Sequence, residues 1–212
     1  VHIGNGSGRV WISEDLQGNP TGIGISLTEN ALNSLPGNMA SWVLYPPAHG
    51  ATQFYKHIAI DWNPMGHEPM AIYGIPHFDF HFYTISNDDR MMIGPNDSTQ
   101  FANAPAAQYV PPMYVQIPGG VPMMGAHWID VTSPELNGAL FTKTFIWGSY
   151  DGDFIFWEPM ITRDYLLSHP HDEVSLNQPS AFQHDGWYPT KYAVDFDGNA
   201  YNIALTGLAF QH

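Results

Sequence analysis

The sequence contains no cysteine, few basic residues and no long apolar run. The missing cysteine excludes disulfide bonds and thiolate ligands, so any metal site must use histidine, carboxylate or carbonyl groups. Six Lys and Arg residues against twenty Asp and Glu residues give a net charge of −14. This charge argues against a nucleic-acid partner, because phosphates need cationic contacts. No apolar segment approaches the roughly 20 residues of a membrane-spanning helix, so we expect no membrane insertion.

The composition is that of a folded protein with many turns. Hydrophobic residues make up 44% and aromatic residues 14% of the 212 positions, which is enough for a large core. The 20 glycines and 18 prolines are scattered along the chain and argue against long helices. Because lysine is scarce and the chain begins at Val1 instead of Met, we expect a processed or trimmed chain of a secreted or periplasmic protein.

Short alternating segments separated by turn residues predict an all-β fold, either a mainly antiparallel β-barrel of calycin-like type or a β-sandwich. One or two short helices are expected, and the better one follows a capping-box pattern of Ser26 and Glu29. Residues 1–212 are predicted to be a single barrel-like domain. Its one long irregular excursion, at about residues 87–125, is rich in Pro, Asn, Met and Gly.

The segment GIPHFDFHFY, residues 74–83, predicts a strand with two different faces. Successive side chains of a strand point to opposite sides. Three phenylalanines therefore share one face, and His77, Asp79, His81 and Tyr83 share the other. A strand face that carries two imidazoles and a carboxylate is a candidate for metal binding or for acid–base chemistry.

The spacing along this strand limits which of its side chains can share one ion. Residues two apart lie about 6.6 Å from each other, and residues four apart about 13 Å. Asp79 can therefore pair with either histidine, whereas His77 and His81 meet only if the strand bulges. Two arrangements remain open: His81 is a ligand while Asp79 orients an imidazole, or a bulge brings both histidines together.

Further candidate ligands lie elsewhere in the chain. His67 and Glu68 occupy a GHEP turn just before the strand, and His127 begins another apolar segment. Glu158 ends an aromatic strand and is predicted to share a face with Phe154 and Phe156. An isolated buried charge is strongly disfavoured, and a cation would compensate this carboxylate.

Three longer segments resemble a family of prokaryotic, often secreted proteins that carry the signature GHEPxxxYxxPHFDFHFY. They are DWNPMGHEPMAIYGIPHFDFHFY (residues 61–83), VPMMGAHWID (121–130) and FTKTFIWGSYDGDFIFWEPMIT (141–162). The resemblance implies a compact β-barrel-like domain that assembles into homo-oligomers. It implies no catalytic residue.

These observations predict a metal-binding protein with one centre that holds Zn²⁺ or Cu²⁺, since nitrogen and oxygen ligands suit these ions. The predicted ligands are four imidazoles and one carboxylate: His67, His77, His81, His127 and Glu158. Asp79 is expected to orient one of the imidazoles from outside the centre. If the ion keeps a bound water, hydrolase or lyase chemistry follows, with Glu68 as the base and a small-molecule substrate that the sequence does not identify.

Three alternatives remain open at this point. The polar strand face can belong to a metal-free oligomeric assembly module whose side chains satisfy one another. It can also line the cavity of a small-ligand-binding barrel. The third alternative is an acid–base active site that works without a metal.

Overall fold

The computed structural model describes residues 1–47 and 54–212 and shows an all-β protein built from two main antiparallel sheets. The strands of the first sheet are β1 (His2–Ile3), β2 (Gly6–Glu14), β3 (Pro20–Thr28), β11 (His171–Ser175), β13 (Lys191–Phe196) and β14 (Ala200–Thr206). Their spatial order is β1-β2-β3-β14-β13-β11. Two alternating segments around Asp197, Gly198 and Asn199 predict a hairpin, and the antiparallel pairing of β13 and β14 confirms it.

The second sheet has seven strands and carries the predicted site. Its strands are β4 (Ala40–Leu44), β5 (His57–Asn63), β6 (His77–Tyr83), β7 (Tyr114–Gln116), β8 (Ala126–Asp130), β9 (Lys143–Tyr150) and β10 (Asp153–Thr162). They follow the spatial order β4-β5-β6-β10-β9-β8-β7. A separate two-stranded sheet consists of β12 (Gly186–Tyr188) and β15 (Ala209–Gln211).

The two main sheets pack face to face as a sandwich. Phe78, Phe80 and Phe82 of β6 are fully buried in a core that also contains Ile25 and Ile203 of the first sheet. Among the described residues, the edge strands of one sheet do not pair with those of the other, so no barrel closes. Of the predicted architectures, the sandwich is therefore correct and the closed barrel is wrong.

The described residues contain five short helices, more than the predicted one or two. They are α1 (Glu29–Leu32), α2 (Met70–Tyr73), α3 (Asn87–Met92), α4 (Ser98–Ala102) and α5 (Arg163–Leu167). The segment predicted as irregular thus contains α3 and α4. The hydroxyl of Ser86 accepts the backbone N–H of Asp89 and caps α3, a serine signal typical of helix starts.

The predicted capping box of Ser26 and Glu29 is wrong. Ser26 lies within β3, opposite Asn202, and its hydroxyl donates to the Asn202 side chain over 2.5 Å. Thr28 precedes α1 without a side-chain cap. Strand pairing with β14 outweighs the local helix signal, because the ladder supplies the backbone hydrogen bonds of this segment.

A β-bulge changes the face that part of β10 presents. The register against β9 shifts between Phe154 and Phe156, and a bulge places an extra residue in one strand. As a result, Phe154 packs in the core between the sheets, while Phe156 packs on the opposite, outer face. The predicted common face of Phe154 and Glu158 is therefore wrong, although Phe156 and Glu158 do share the outer face.

Candidate metal centres

The polar side of β6 forms the outer face of the seven-stranded sheet, which points away from the core between the sheets. The neighbouring strand β5 presents the same alternation of polar and apolar residues. In register, its outer residues pair as His57 with Tyr83, Ala59 with His81, Asp61 with Asp79, and Asn63 with His77. Two small apolar clusters flank this polar stripe, one around Tyr83 and Phe156 and the other around Tyr73 and Phe141.

One group of three candidate ligands, here called triad A, consists of His67, His77 and Asp79. Nε2 of His67 lies 3.5 Å from Oδ2 of Asp79, and Nε2 of His77 lies 3.3 Å from Oδ1 of the same carboxylate. Asn63 donates a hydrogen bond of 2.7 Å to Asp79 Oδ2 and fixes the orientation of the carboxylate. Two imidazoles therefore face one anchored carboxylate.

Backbone carbonyls fix the orientation of both imidazoles in triad A. Nδ1 of His67 lies 2.8 Å from the carbonyl oxygen of Glu68, and Nδ1 of His77 lies 2.7 Å from that of Ile75. A carbonyl only accepts, so each Nδ1 carries the proton and donates it. In a neutral ring, Nε2 then has the free lone pair, and this is how metal-binding histidines are commonly held.

His67 reaches the outer face because the chain between β5 and β6 turns back on itself. Gly66 makes this turn with a φ of +69°, and its N–H bonds to the carbonyl oxygen of Asn63. A Cβ at Gly66 would lie 2.0 Å from the carbonyl oxygen of Tyr73, so only glycine fits here. The backbone N–H of His67 then bonds to that same carbonyl oxygen.

The second group, triad B, consists of His81, His127 and Glu158 from three different strands. Nε2 of His81 lies 3.5 Å from Oε1 of Glu158, and Nε2 of His127 lies 3.7 Å from Oε2. On its other side, Nδ1 of His81 lies 3.3 Å from Oδ2 of Asp61, and the hydroxyl of Ser41 donates to Oδ1 of Asp61. Asp61 is therefore placed to orient His81.

A glycine makes room for the side chains of triad B. Gly148 of β9 lies directly between His127 of β8 and Phe156 of β10. A Cβ at Gly148 would lie 1.9 Å from the Phe156 ring. Without that atom, Phe156 packs edge-to-face against both imidazoles, at 5.1 Å from the ring of His81 and 5.4 Å from that of His127.

The histidine–carboxylate distances within both triads are longer than usual hydrogen bonds and close to the separation of two ligands of one metal ion. They run from 3.3 to 3.7 Å, whereas N–H···O bonds cluster between about 2.7 and 3.2 Å. Two ligand atoms at about 2.0–2.1 Å from one tetrahedral Zn²⁺ would lie about 3.3–3.4 Å apart. Within the described part of the chain, buried atoms without a hydrogen-bond partner include His77 Nε2, Asp79 Oδ1, both ring nitrogens of His81, and Glu158 Oε2.

Burial and neighbouring charges oppose each other in the two triads. Burial lowers the pKa of His67, but the adjacent Asp79 outweighs it and raises that pKa to about 9. Burial likewise lowers the pKa of His81, yet Glu158 and Asp61 raise it to about 9. Burial, with a contribution from His81, lowers the pKa of His127 to about 3. In the metal-free protein at neutral pH, His67 and His81 are therefore protonated beside the carboxylates, whereas His127 is not.

The pKa values of the two carboxylates, Asp79 and Glu158, shift in opposite directions. Burial raises the pKa of Asp79, but His67 and His77 outweigh it, so the net shift is downward. Burial raises the pKa of Glu158, and the positive charge of His81 offsets this only in part. Glu158 therefore lacks sufficient positive charge nearby, which a divalent cation would supply.

The structure divides the predicted single centre into two. His67 and His77 belong to triad A, whereas His81, His127 and Glu158 belong to triad B. Of the two arrangements that the strand spacing left open, the one in which a bulge brings His77 and His81 together is not found, since they belong to different triads. Asp79, predicted to act from outside the centre, is itself a member of triad A.

Glu68 belongs to neither triad. Its carboxylate is exposed and accepts the backbone N–H of Met70 at the start of α2.

Sequence reasoning missed Asp61 and Asn63, which orient members of the two triads. The alternation of polar and apolar residues in His57–Asn63 could have identified them, because it repeats the pattern of the neighbouring strand β6. The alternation of residues 52–62 predicts a strand. In the structure this strand, β5, begins at His57, and residues 52 and 53 lie outside the described ones.

One family model is similar to part of the chain. It is described as TTHB210-like, hypothetical protein TTHB210, and it matches residues 15–62, less than half of the chain. The match supports a relation to a family without an assigned function. It includes Asp61 but ends before both triads. No curated protein and no solved structure matches significantly.

None of the helices in the described residues is long and apolar enough to cross a membrane.

Proposed function

We propose that this protein binds two divalent transition-metal ions on the outer face of its seven-stranded sheet, one in each triad. The observation that carries the proposal is the set of buried ring nitrogens and carboxylate oxygens that face one another at ligand–ligand distances without hydrogen bonds. An unpaired buried polar atom costs about 1–3 kcal/mol. A bound ion would satisfy several of these atoms at once.

The ligand set favours Zn²⁺ or Cu²⁺. Each triad offers two imidazole nitrogens and one carboxylate, which suits borderline ions, whereas Ca²⁺ and Mg²⁺ prefer oxygen ligands. Two histidines and one carboxylate with a free fourth position are also the ligands of several catalytic zinc sites. The histidine–carboxylate separations of 3.3 and 3.5 Å in triad A are close to the distance between two ligands of a tetrahedral Zn²⁺ ion.

A metal-free polar network is the main alternative. Such a network holds together because each member donates to or accepts from another, and partial satisfaction makes it unfavourable. Nε2 of His81, the nitrogen that faces Glu158, has no hydrogen-bond partner within the described residues, although the side chain is only 1% exposed. This argues for an ion in place of a self-satisfied network.

Metal analysis of protein purified without chelator, then equilibrated with Zn²⁺ and desalted, tests the proposal. We expect about two equivalents for the wild type and about one for each of two variants, His77→Ala in triad A and His81→Ala in triad B. His171→Ala is the matched control, because His171 is an exposed histidine that contacts Asp195 outside both triads. It should retain both equivalents. Folded wild-type protein that retains no Zn²⁺ would contradict the proposal.

A further inference from the structure

The two triads differ in how they meet solvent. The His67 side chain in triad A is 38% exposed, whereas those of His77 and Asp79 are at most 5% exposed. In triad B, the His81 and Glu158 side chains are 1% and 2% exposed and that of His127 is 16% exposed. An ion in triad A would therefore be more open to water than an ion in triad B.

The two triads also differ in how rigidly their ligands are held. All three ligands of triad B lie on strands of the sheet, and Tyr83 and Phe156 pack on the His81 ring at 5.7 and 5.1 Å. In triad A, His77 and Asp79 lie on β6, whereas His67 lies on the loop before α2, where its ring contacts His77 at 4.7 Å and Tyr73 at 5.9 Å. Segments with few buried contacts open at lower free energy than sheet residues.

We infer, on the basis of the proposed function, that the triad A ion is exchangeable and binds a small exogenous ligand, while the triad B ion is closed and structural. Three protein ligands leave a tetrahedral ion one further position, and in catalytic zinc sites this position holds water. At triad A the 38% exposed side chain of His67 would leave this position accessible to solvent. The ligand that it takes is water, hydroxide or a small monodentate anion.

Charge favours an anion at this position. A divalent ion with two neutral imidazoles and the single carboxylate of Asp79 carries a net charge of +1. An anion neutralises that charge in a partly buried setting, where Coulomb interactions are stronger than in bulk water. The same charge lowers the pKa of a bound water, so triad A is the centre at which a hydrolytic nucleophile would form.

Cobalt-substituted protein tests the inference, since Co²⁺ reports its ligands through visible absorption. Azide, a small monodentate anion, should change the spectrum of the wild type and of His127→Ala, which disables triad B. It should leave the spectrum of His67→Ala unchanged. A response that persists in His67→Ala and is lost in His127→Ala would overturn the assignment. Both substituted residues have solvent-exposed portions, and circular dichroism checks that the variants fold.

The rate at which Co²⁺ is released to excess chelator provides an independent measurement. We expect two phases of equal amplitude in the wild type, with the faster at least about ten times the rate of the slower, because triad B opens only with its covering residues. His67→Ala should remove the fast phase. Two bound equivalents that leave in one phase, with no azide response, would refute this inference while leaving the proposed function intact. Failure to bind Co²⁺ at all would refute both.

Discussion

Replacing Glu158 by glutamine should have opposite consequences in the metal-bound and metal-free protein. The substitution preserves the shape of a side chain that is 2% exposed but removes its charge. In the metal-bound protein it removes an anionic ligand of triad B. In the metal-free protein it removes a buried carboxylate. Burial raises the pKa of this carboxylate, so nearby positive charge does not fully compensate its negative charge.

The structure sets the size of both effects. Loss of one of three ligands should weaken zinc binding at triad B by about 100-fold or more, and at saturating Zn²⁺ this lowers the free energy of unfolding by about 2.7 kcal/mol. In the metal-free protein His81 keeps Asp61 at 3.3 Å, so its charge remains paired. The free energy of unfolding should then change by less than about 1 kcal/mol. The substitution removes the attraction between Glu158 and His81, but it also removes the cost of burying the Glu158 charge, and the two effects offset each other.

Urea unfolding at pH 7.5, with excess Zn²⁺ or with chelator, measures both values. Glu173→Gln is the matched control: Glu173 pairs with Lys191 on the surface, far in sequence from the ligands, and its substitution should shift both curves equally. If Glu158→Gln destabilises the metal-free protein as much as the zinc-bound protein, the carboxylate belongs to a metal-free network and our reasoning is wrong.

Three further predictions address the orienting groups, the packing and acid release. Asn63→Ala removes the amide that donates to Asp79 and should weaken zinc affinity at triad A by about 10- to 100-fold. Competition with a chromophoric chelator measures this affinity, and an unchanged titration curve would contradict the prediction. Gly148→Ala places a Cβ 1.9 Å from Phe156 and should lower the free energy of unfolding by about 1–3 kcal/mol. It should also weaken zinc binding at triad B, and an unaltered urea midpoint would refute the packing argument. In the metal-free protein the pKa values of His67 and His81 are about 9, so protons compete with zinc below that pH and zinc affinity should fall steadily on acidification. Zinc retained at about pH 4.5 after dialysis would show that histidines are not the ligands.

The amino-acid pattern alone determined the faces of the strands. The alternation in residues 77–83 assigned three phenylalanines to one side and His77, Asp79 and His81 to the other, and the structure places them so. This works because side chains of a strand alternate regardless of its partners. The all-β class and the hairpin of β9 and β10 follow equally from local signals, since turn residues separate two alternating segments.

Only the tertiary structure decided which side chains are neighbours. Triad B joins His81, His127 and Glu158 from strands far apart in the sequence, and triad A needs the loop that returns His67 over β6. These contacts depend on register between strands, and one bulge in β10 suffices to move Phe154 to the other face. Register is set by packing and loop closure over long stretches of chain, which no local pattern contains. For this reason the sequence indicated the types of candidate ligand, and the fold divided them between two triads.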